Sequence, residues 1–294
     1  VCITCSENGS YWGGFISSGS GTGVEASHAI FARSGYHAGE EYNWGHASRQ
    51  ALFYNERGSI TTDHCYMIDH IGQVFYPLHA TVEITNCLIQ RAKTGGQINH
   101  SDLLISHSVF TDFPDDSDTY QDEDNDGLYI HDCDANIMHS VFMYAKDDGL
   151  DSGASPGGEI TISHTRFESN FHEGAALSSG RDVIKNHYLK HCLFMDNGQG
   201  LELGYSSLDH HVYADSCKFI RNGIGIRYGD CYEWYHKGTM HITNSESIDN
   251  VTADVWNMVR ENWSASVSHM VFDNVAVSKA YPLYPELIIQ ENNE

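Results

Sequence analysis

The sequence predicts an all-β chain wound as a right-handed, single-stranded parallel β-helix, and three observations point there. A hexapeptide pattern recurs along the chain, a glycine series recurs in step with it, and no helical apolar period of useful length appears. Short strands bounded by Gly, Asn and Asp, at a steady spacing of one supersecondary unit, describe a solenoid in which each unit contacts only its neighbours.

The hexapeptide reads "TDHCYM" at 62, "ITNCLI" at 84, "ISHSVF" at 105, "IMHSVF" at 137, "ISHTRF" at 162, "LKHCLF" at 189, "ADSCKF" at 214, "ITNSES" at 242 and "VSHMVF" at 267. Its last positions run from Met67 to Phe272 at intervals of 21 to 32 residues. The second series is "NDGLY", "DDGLD", "HEGAAL", "GQGLELG" and "GIGIRYG", centred on Gly127, Gly149, Gly174, Gly200 and Gly225. Two series in phase require at least two strands per coil. About eleven coils at the strand spacing of about 4.8 Å make a rod near 50 Å long. Leucine-rich repeats share the period, but their Leu-x-x-Leu-x-Leu core is absent. We therefore expect one domain over 1–294, with an acidic loop inserted at 112–126 and a C-terminal extension at 276–294.

Stacking makes residues one period apart vertical neighbours. Cys65, Cys87, Cys192 and Cys217 share a column with Ser108, Ser140, Thr165 and Ser245, which reads as an inward ladder of small side chains with free thiols, because in-register parallel strands suit disulfide geometry poorly. Cys2 and Cys5 in "CITC" leave a disulfide or a metal clip open. The adjacent column, His64, Asn86, His107, His139, His164, His191, Asn244 and His269, reads as a polar ladder at a turn rather than a metal strip.

The chain has 16 Lys+Arg against 40 Asp+Glu, a net charge of −24, which disfavours nucleic acid, anionic membranes and unassisted binding of a polyanionic sugar. No apolar run is long enough for a membrane helix, and the start lacks the features of a signal peptide. Much of the acidity is local. Aligning the glycines puts Asp126, Asp148, Glu173 and Gln199 in one column, with Asn125, Asp147 and His172 beside it and Asp151 on the strand of Asp148. Carboxylates that close either share protons or hold a cation. The inserted loop ends in Asp122-x-Asp124-x-Asp126-Gly127, the first half of a calcium loop, in which alternate carboxylates turn towards one ion. Position twelve is Cys133 rather than glutamate, so Asp147, Asp148 or Asp151 would complete a Ca2+ shell; a solvated acidic loop is the alternative.

The coils from about 60 to 275 resemble the pectate-lyase-like β-helix superfamily. "DDGLD" is similar to the calcium motif of polysaccharide lyase family nine, which implies aspartate-held calcium that acidifies a uronate's C5 proton; the position of that family's catalytic lysine is Glu202 here, with Lys185 in "GRDVIKN" nearby. "DNDG", "DDG" and "HEG" also resemble the polygalacturonases in order and phase, which implies catalytic roles for Asp126, Asp147, Asp148 and His172 as acid and water-activating groups, with Arg227 left of the substrate clamp. "WGGFISSGSGTGVEASHAIFARSG" together with the glycine strands resembles β-helix segments of large bacterial surface proteins, which implies an extracellular or cell-surface module with further domains in its parent chain. Tyr129, Tyr205, Tyr228, Tyr232 and Trp234 are candidates for stacking sugars, with Glu202 and Arg227 beside them. Two functions follow: a β-helix that binds or cleaves a polysaccharide, or a non-catalytic rod stabilised by calcium.

Overall fold

The computed structural model describes residues 1–7, 9–36, 50–113, 125–152, 158–178, 186–204, 210–229, 237–257, 269–278, 280–282 and 291–292. The chain winds through three parallel sheets of eleven strands each, every third strand in chain order joining the same sheet. The first sheet holds strands such as Leu88–Gln90 and Val109–Phe113, the second Thr94–Asn99 and Glu173–Ala176, the third Thr81–Thr85 and Asp102–Ser106. This is the expected parallel β-helix. No helix among the described residues is long and apolar enough to cross a membrane.

The hexapeptide is the end of a third-sheet strand, a two-residue corner and the start of the first-sheet strand. Its first position pairs in register from coil to coil, Ile84 with Ile105, Ile137, Ile162, Leu189, Ala214 and Ile242 in turn, and each of these side chains is buried. Its last position builds a face-to-face ring stack, Phe110, Phe142, Phe167, Phe194 and Phe219, with centroids 4.8 to 5.4 Å apart. At the corner between them His64, Asn86, His107, His139, His164, His191 and Asn244 all have φ between 48° and 55°. His and Asn tolerate this left-handed conformation better than branched residues do. The imidazoles of His107, His139, His164 and His191 stack 4.8 to 5.0 Å apart, so the column is a structural ladder.

The small-residue column is inward, as expected. The Cys87 N–H donates to Ser108 Oγ (3.1 Å), Ser108 N–H to Ser140 Oγ (3.2 Å) and Cys217 N–H to Ser245 Oγ (2.9 Å). Cys2, Cys5, Cys65, Cys87, Cys192 and Cys217 are free thiols, which removes the disulfide left open for "CITC". Burial pushes the Cys87 thiol up to about 11.

A second ladder was not anticipated. Asn170, Asn197, Asn222 and Asn250, at the corner from the first to the second sheet, are buried, and each side-chain oxygen accepts the backbone N–H of the residue one coil earlier in the column. Their Nδ2 groups donate to the carbonyls of Phe142, Phe167, Phe194 and Phe219, tying this corner to the ring stack. The glycine column follows immediately. A Cβ on Gly149 would lie 2.6 Å from Gly174 O and 2.7 Å from Asn170 Nδ2, too close for any side chain.

The last repeat departs from expectation. Phe272 pairs with Ile242, and Ser247 pairs with Val277, so the true ninth copy is "FDNVAV" at 272–277 and "VSHMVF" lies five residues out of phase. Asn274, not His269, takes the left-handed corner (φ 54°) and donates to Asn244 Oδ1. Strands Ala276–Val277, Ala280–Pro282 and Glu291–Asn292 are the last strands of the three sheets, and most of the remaining segment expected to be an extension lies outside the described residues.

Two measurements test this core. Phe167 is fully buried between two rings, and Phe167→Ala is expected to cost about 3–5 kcal/mol in urea unfolding; a loss below about 1 kcal/mol would contradict the stack as a packed core. His70 is buried, its Nδ1 accepts from the Ser34 N–H (3.1 Å), and burial holds it down at about 3 against 6.5 for a free imidazole. The unfolded chain therefore binds a proton that the native chain refuses, and stability falls as pH drops from about 6.5, by up to about 1.4 kcal/mol per unit. His70→Asn should flatten that slope between pH 6.5 and 5, and an unchanged slope would remove His70 as its source.

Candidate functional site

Leu150, Ala175, Leu201 and Ile226 form a buried inner column, so the residue after each faces out; the acids two positions before them share the inner parity and are joined to the outer face by the contact of Glu173 with Arg227, which makes two polar columns. One is Asp126, Asp148, Glu173 and Gln199; the other runs Tyr129, Asp151, Ala176, Glu202 and Arg227, each residue paired with the next. Asp147 and His172 stand just before the strands, with the His172 N–H donating to the Asp147 carbonyl (3.2 Å).

The stacking of Asp126 on Asp148 is direct: the Asp148 N–H donates to Asp126 Oδ1 (3.2 Å), and the Glu173 N–H to Asp148 Oδ1 (2.8 Å). Asp126, Asp147, Asp148 and Glu173 are 2, 6, 7 and 1% exposed, so their charges are poorly screened by water. His172 Nδ1 lies 3.3 Å from Asp147, 3.5 Å from Asp148 and in close contact with Glu173. Arg227 Nη2 pairs with Glu202 and reaches Glu173 Oε1 (3.2 Å), and Gln199 Nε2 donates to the same Glu173 oxygen (2.7 Å). Ala176, the small residue between Asp151 and Glu202 in the outer column, leaves room for that diagonal.

The field pushes these groups apart. Burial, then the charges of Asp151, Asp148 and Asp147, raise Asp126 well above the usual carboxylate range. Burial alone would raise Asp148 too, but hydrogen bonds from His172 and Glu173 hold it below that range. Burial disfavours the His172 cation, yet Asp147, Asp148 and Glu173 outweigh it and keep the ring protonated. Glu173 is raised by burial and by the neighbouring charges of Asp148 and Glu202. Six carboxylates therefore share two cationic side chains, His172 among Asp147, Asp148 and Glu173, and Arg227 between Glu173 and Glu202.

The expected site residues divide as follows. Asp126, Asp147, Asp148 and His172 come together, Asp151 is close enough to raise Asp126, and Tyr129 stands half-buried over Asp151. Glu202 and Arg227 are ion-paired to each other, so Arg227 is committed within the cluster rather than presented as a clamp. Tyr228 is not a surface aromatic: the parity that turns Arg227 outward turns Tyr228 into the core, where its hydroxyl donates to Gly238 O (2.7 Å). Asp122, Asp124, Lys185, Tyr205, Tyr232 and Trp234 lie outside the described residues. Glu173 was absent from the expected site although its column placed it there; what the sequence hid was the reach of Arg227 across two coils.

The donor set suits a hard cation. Asp147, Asp148 and Glu173 each offer a carboxylate oxygen, lying with His172 within 4.8 Å of one another, and Asp126 and Asp151 add two further carboxylates; His172, held protonated, is a neighbour rather than a ligand. The Asn125 side-chain oxygen, on a residue 3% exposed beside Asp126, accepts no hydrogen bond among the described residues. An orphaned buried acceptor next to crowded carboxylates fits a bound cation.

No protein-family model and no curated protein sequence matches the chain. Among solved structures it is similar to the periplasmic alginate epimerase AlgG, at a TM-score of 0.57 and 9% identity over 92% of this chain and 68% of that one. It is also similar to the A-module of the Azotobacter vinelandii mannuronan C-5 epimerase AlgE4 (TM-score 0.48, 11% identity, 95% and 77% covered) and to pectate lyase Pel9A (0.41, 16%, 96% and 68%). At such identities the likeness to AlgG shows the fold, a right-handed parallel β-helix.

Arg227→Met leaves Glu173 and Glu202 buried without their guanidinium and is expected to destabilise the chain by about 3–5 kcal/mol in urea unfolding, with partial recovery when Glu202→Gln is added. A single-variant loss under about 1 kcal/mol would mean that water screens the pair.

Proposed function

We propose that this protein is a calcium-dependent, polysaccharide-binding β-helix whose ion is held on the outer face of the second sheet by Asp126, Asp147, Asp148 and Asp151. The observation that supports it is the charge excess: carboxylates stacked one coil apart and nearly excluded from water outnumber the two cations among them, His172 against Asp147, Asp148 and Glu173, and Arg227 against Glu173 and Glu202. A bound Ca2+ supplies the missing positive charge and a coordination site for an acidic sugar's carboxylate, which a chain of net charge −24 otherwise repels. His172 and Arg227 balance Glu173 and Glu202, and Tyr129 offers a half-buried ring beside Asp151. Sharing a fold with an enzyme that acts on alginate supports an acidic polysaccharide by analogy, and a periplasmic or extracellular setting with it.

Catalysis would draw on the same groups. Without an ion, the raised Asp126 and lowered Asp148 form the kind of split pair that assigns a proton donor and an ionised partner; an ion held by Asp126 would keep it ionised. A second reading, an ion that only stiffens the rod, is favoured by one observation: the carboxylates are closed off rather than open to a groove.

Millimolar Ca2+ is expected to raise Tm over that in EDTA, by the equivalent of about 2.7 kcal/mol at a hundredfold excess over Kd, with the shift lost in Asp148→Asn. Equal melting temperatures in calcium and chelator would sink the ion. Retention on immobilised alginate or polygalacturonate should require calcium and fail in Asp148→Asn, and incubation with the same polymers would reveal products if the site is catalytic. A calcium-raised Tm without any retention would select the structural ion.

A further inference from the structure

The outer face of the third sheet is independent of the acidic cluster and carries its own relief. One column there is Thr81, Asp102, Asp134 and Glu159, the Glu159 N–H donating to Asp134 Oδ1 (2.7 Å). The next column begins Glu83, Leu104, Asn136 and Thr161. These two columns line a concavity of about 510 Å³. A second concavity of about 350 Å³ shares Asp102 and Asp134 with it and continues round the corner to His79, His100 and Asp132. The second column then turns aromatic: Thr161 pairs with Tyr188, Tyr188 with Tyr213, and Tyr213 with His241. Tyr188 and Tyr213 stack at 5.2 Å with 7° between their planes, and Tyr213 and His241 at 4.7 Å.

A stack of rings covers its own faces except at its ends. Tyr188 is the end nearest the concavity: one face lies on Tyr213, and the other is directed along the axis towards the coil of Thr161, which lines the hollow. Tyr188 is 37% exposed, so part of the ring is reachable from solvent. The combination is a partly open ring against which apolar C–H groups can pack, next to a hollow edged with carboxylate, amide and hydroxyl oxygens that accept hydrogen bonds. Acceptors that are ionised make the stronger bonds to hydroxyl donors. Coils repeat at about 4.8 Å, so an extended ligand laid along the axis meets a side-chain oxygen of the Thr81, Asp102, Asp134 and Glu159 column at each step. Neither concavity is lined by lysine or arginine among the described residues, so an anionic sugar would meet unopposed negative charge.

We propose that this face is a second glycan-binding site, specific for a pyranoside chain without negative charge, with Tyr188 as its stacking platform and Asn136, Asp102 and Asp134 as its hydroxyl acceptors. The ligand is the opposite in charge class to the one proposed for the second sheet, and the site needs no metal.

The test is calorimetric titration in EDTA, which silences any calcium-dependent site, with cellohexaose, a glucosamine hexamer and hexagalacturonate as probes. We expect a non-anionic hexaose to bind, at least tenfold more weakly in Tyr188→Ala and in Asn136→Ala, and with unchanged affinity in Asp148→Asn. Binding of both cellohexaose and the glucosamine hexamer assigns recognition to the hydroxyls. Salt-sensitive binding of the glucosamine hexamer alone assigns it to amine–carboxylate pairing; either supports the site. Absence of binding by both, a preference for hexagalacturonate, or full affinity in a folded Tyr188→Ala variant with the same Tm would overturn it. Because both surface variants leave the second sheet untouched, failure here leaves the calcium proposal standing.

Discussion

The structure depends on one constraint: parallel strands stacked in register give every side chain a neighbour of the same column at one strand spacing. Nothing dilutes a residue type that recurs each period, so its interactions add along the axis. For Phe110 to Phe219, for the corner imidazoles and for the buried asparagines the addition is favourable, since rings stack and each amide satisfies the next backbone N–H. For carboxylates the same geometry is adverse. Asp126 lies on Asp148, and Asp148 on Glu173, with no freedom to splay apart.

What permits such a cluster is the rigidity beneath it. The asparagine ladder fixes the corner before the second-sheet strands and the glycine column follows each acid directly, and the carbonyls of the ring-stack residues anchor the asparagines in turn. Charge repulsion spread over buried hydrogen bonds and packed rings can be sustained where a loop would rearrange. His172, among Asp147, Asp148 and Glu173, and Arg227, between Glu173 and Glu202, neutralise part of the cluster, which leaves a gradient from the ion-paired Glu173 end to the Asp126 end. That gradient is the physical reason to place a cation by Asp126 and Asp151 rather than by Glu202. The third sheet repeats the theme with less burial: Asp102 and Asp134 face solvent, where water screens them and hydroxyl donors can replace it.

Columns were legible wherever the motif was constant. Asp126, Asp148, Glu173 and Gln199 could be aligned by their following glycines, and the register bears that alignment out. The same reasoning failed at the last coil because "VSHMVF" imitates the motif while Asp273-Asn274 supplies the real corner, and composition alone does not tell which of two polar residues turns left-handed. Tyr228 was legible in principle, since one step from an outward Arg227 is inward, but its aromatic character drew it to the surface list of sugar-stacking side chains. Contacts between columns were not legible. Arg227 reaches Glu173 across two coils because Ala176 is small, and that depends on side-chain length and direction rather than period. The asparagine ladder was plain as a recurrence at 170, 197, 222 and 250 and went unread beside the more frequent histidines.

The central claim is that vertical stacking joins Asp126 and Asp148 into one ion site. A double-mutant cycle on Ca2+ affinity, with Asp126→Asn, Asp148→Asn and both together, measures that directly. If the two share an ion, each single change should cost most of the binding and the double change little more, a coupling of at least about 1 kcal/mol. Additive losses, or calcium binding that neither substitution weakens, would contradict it.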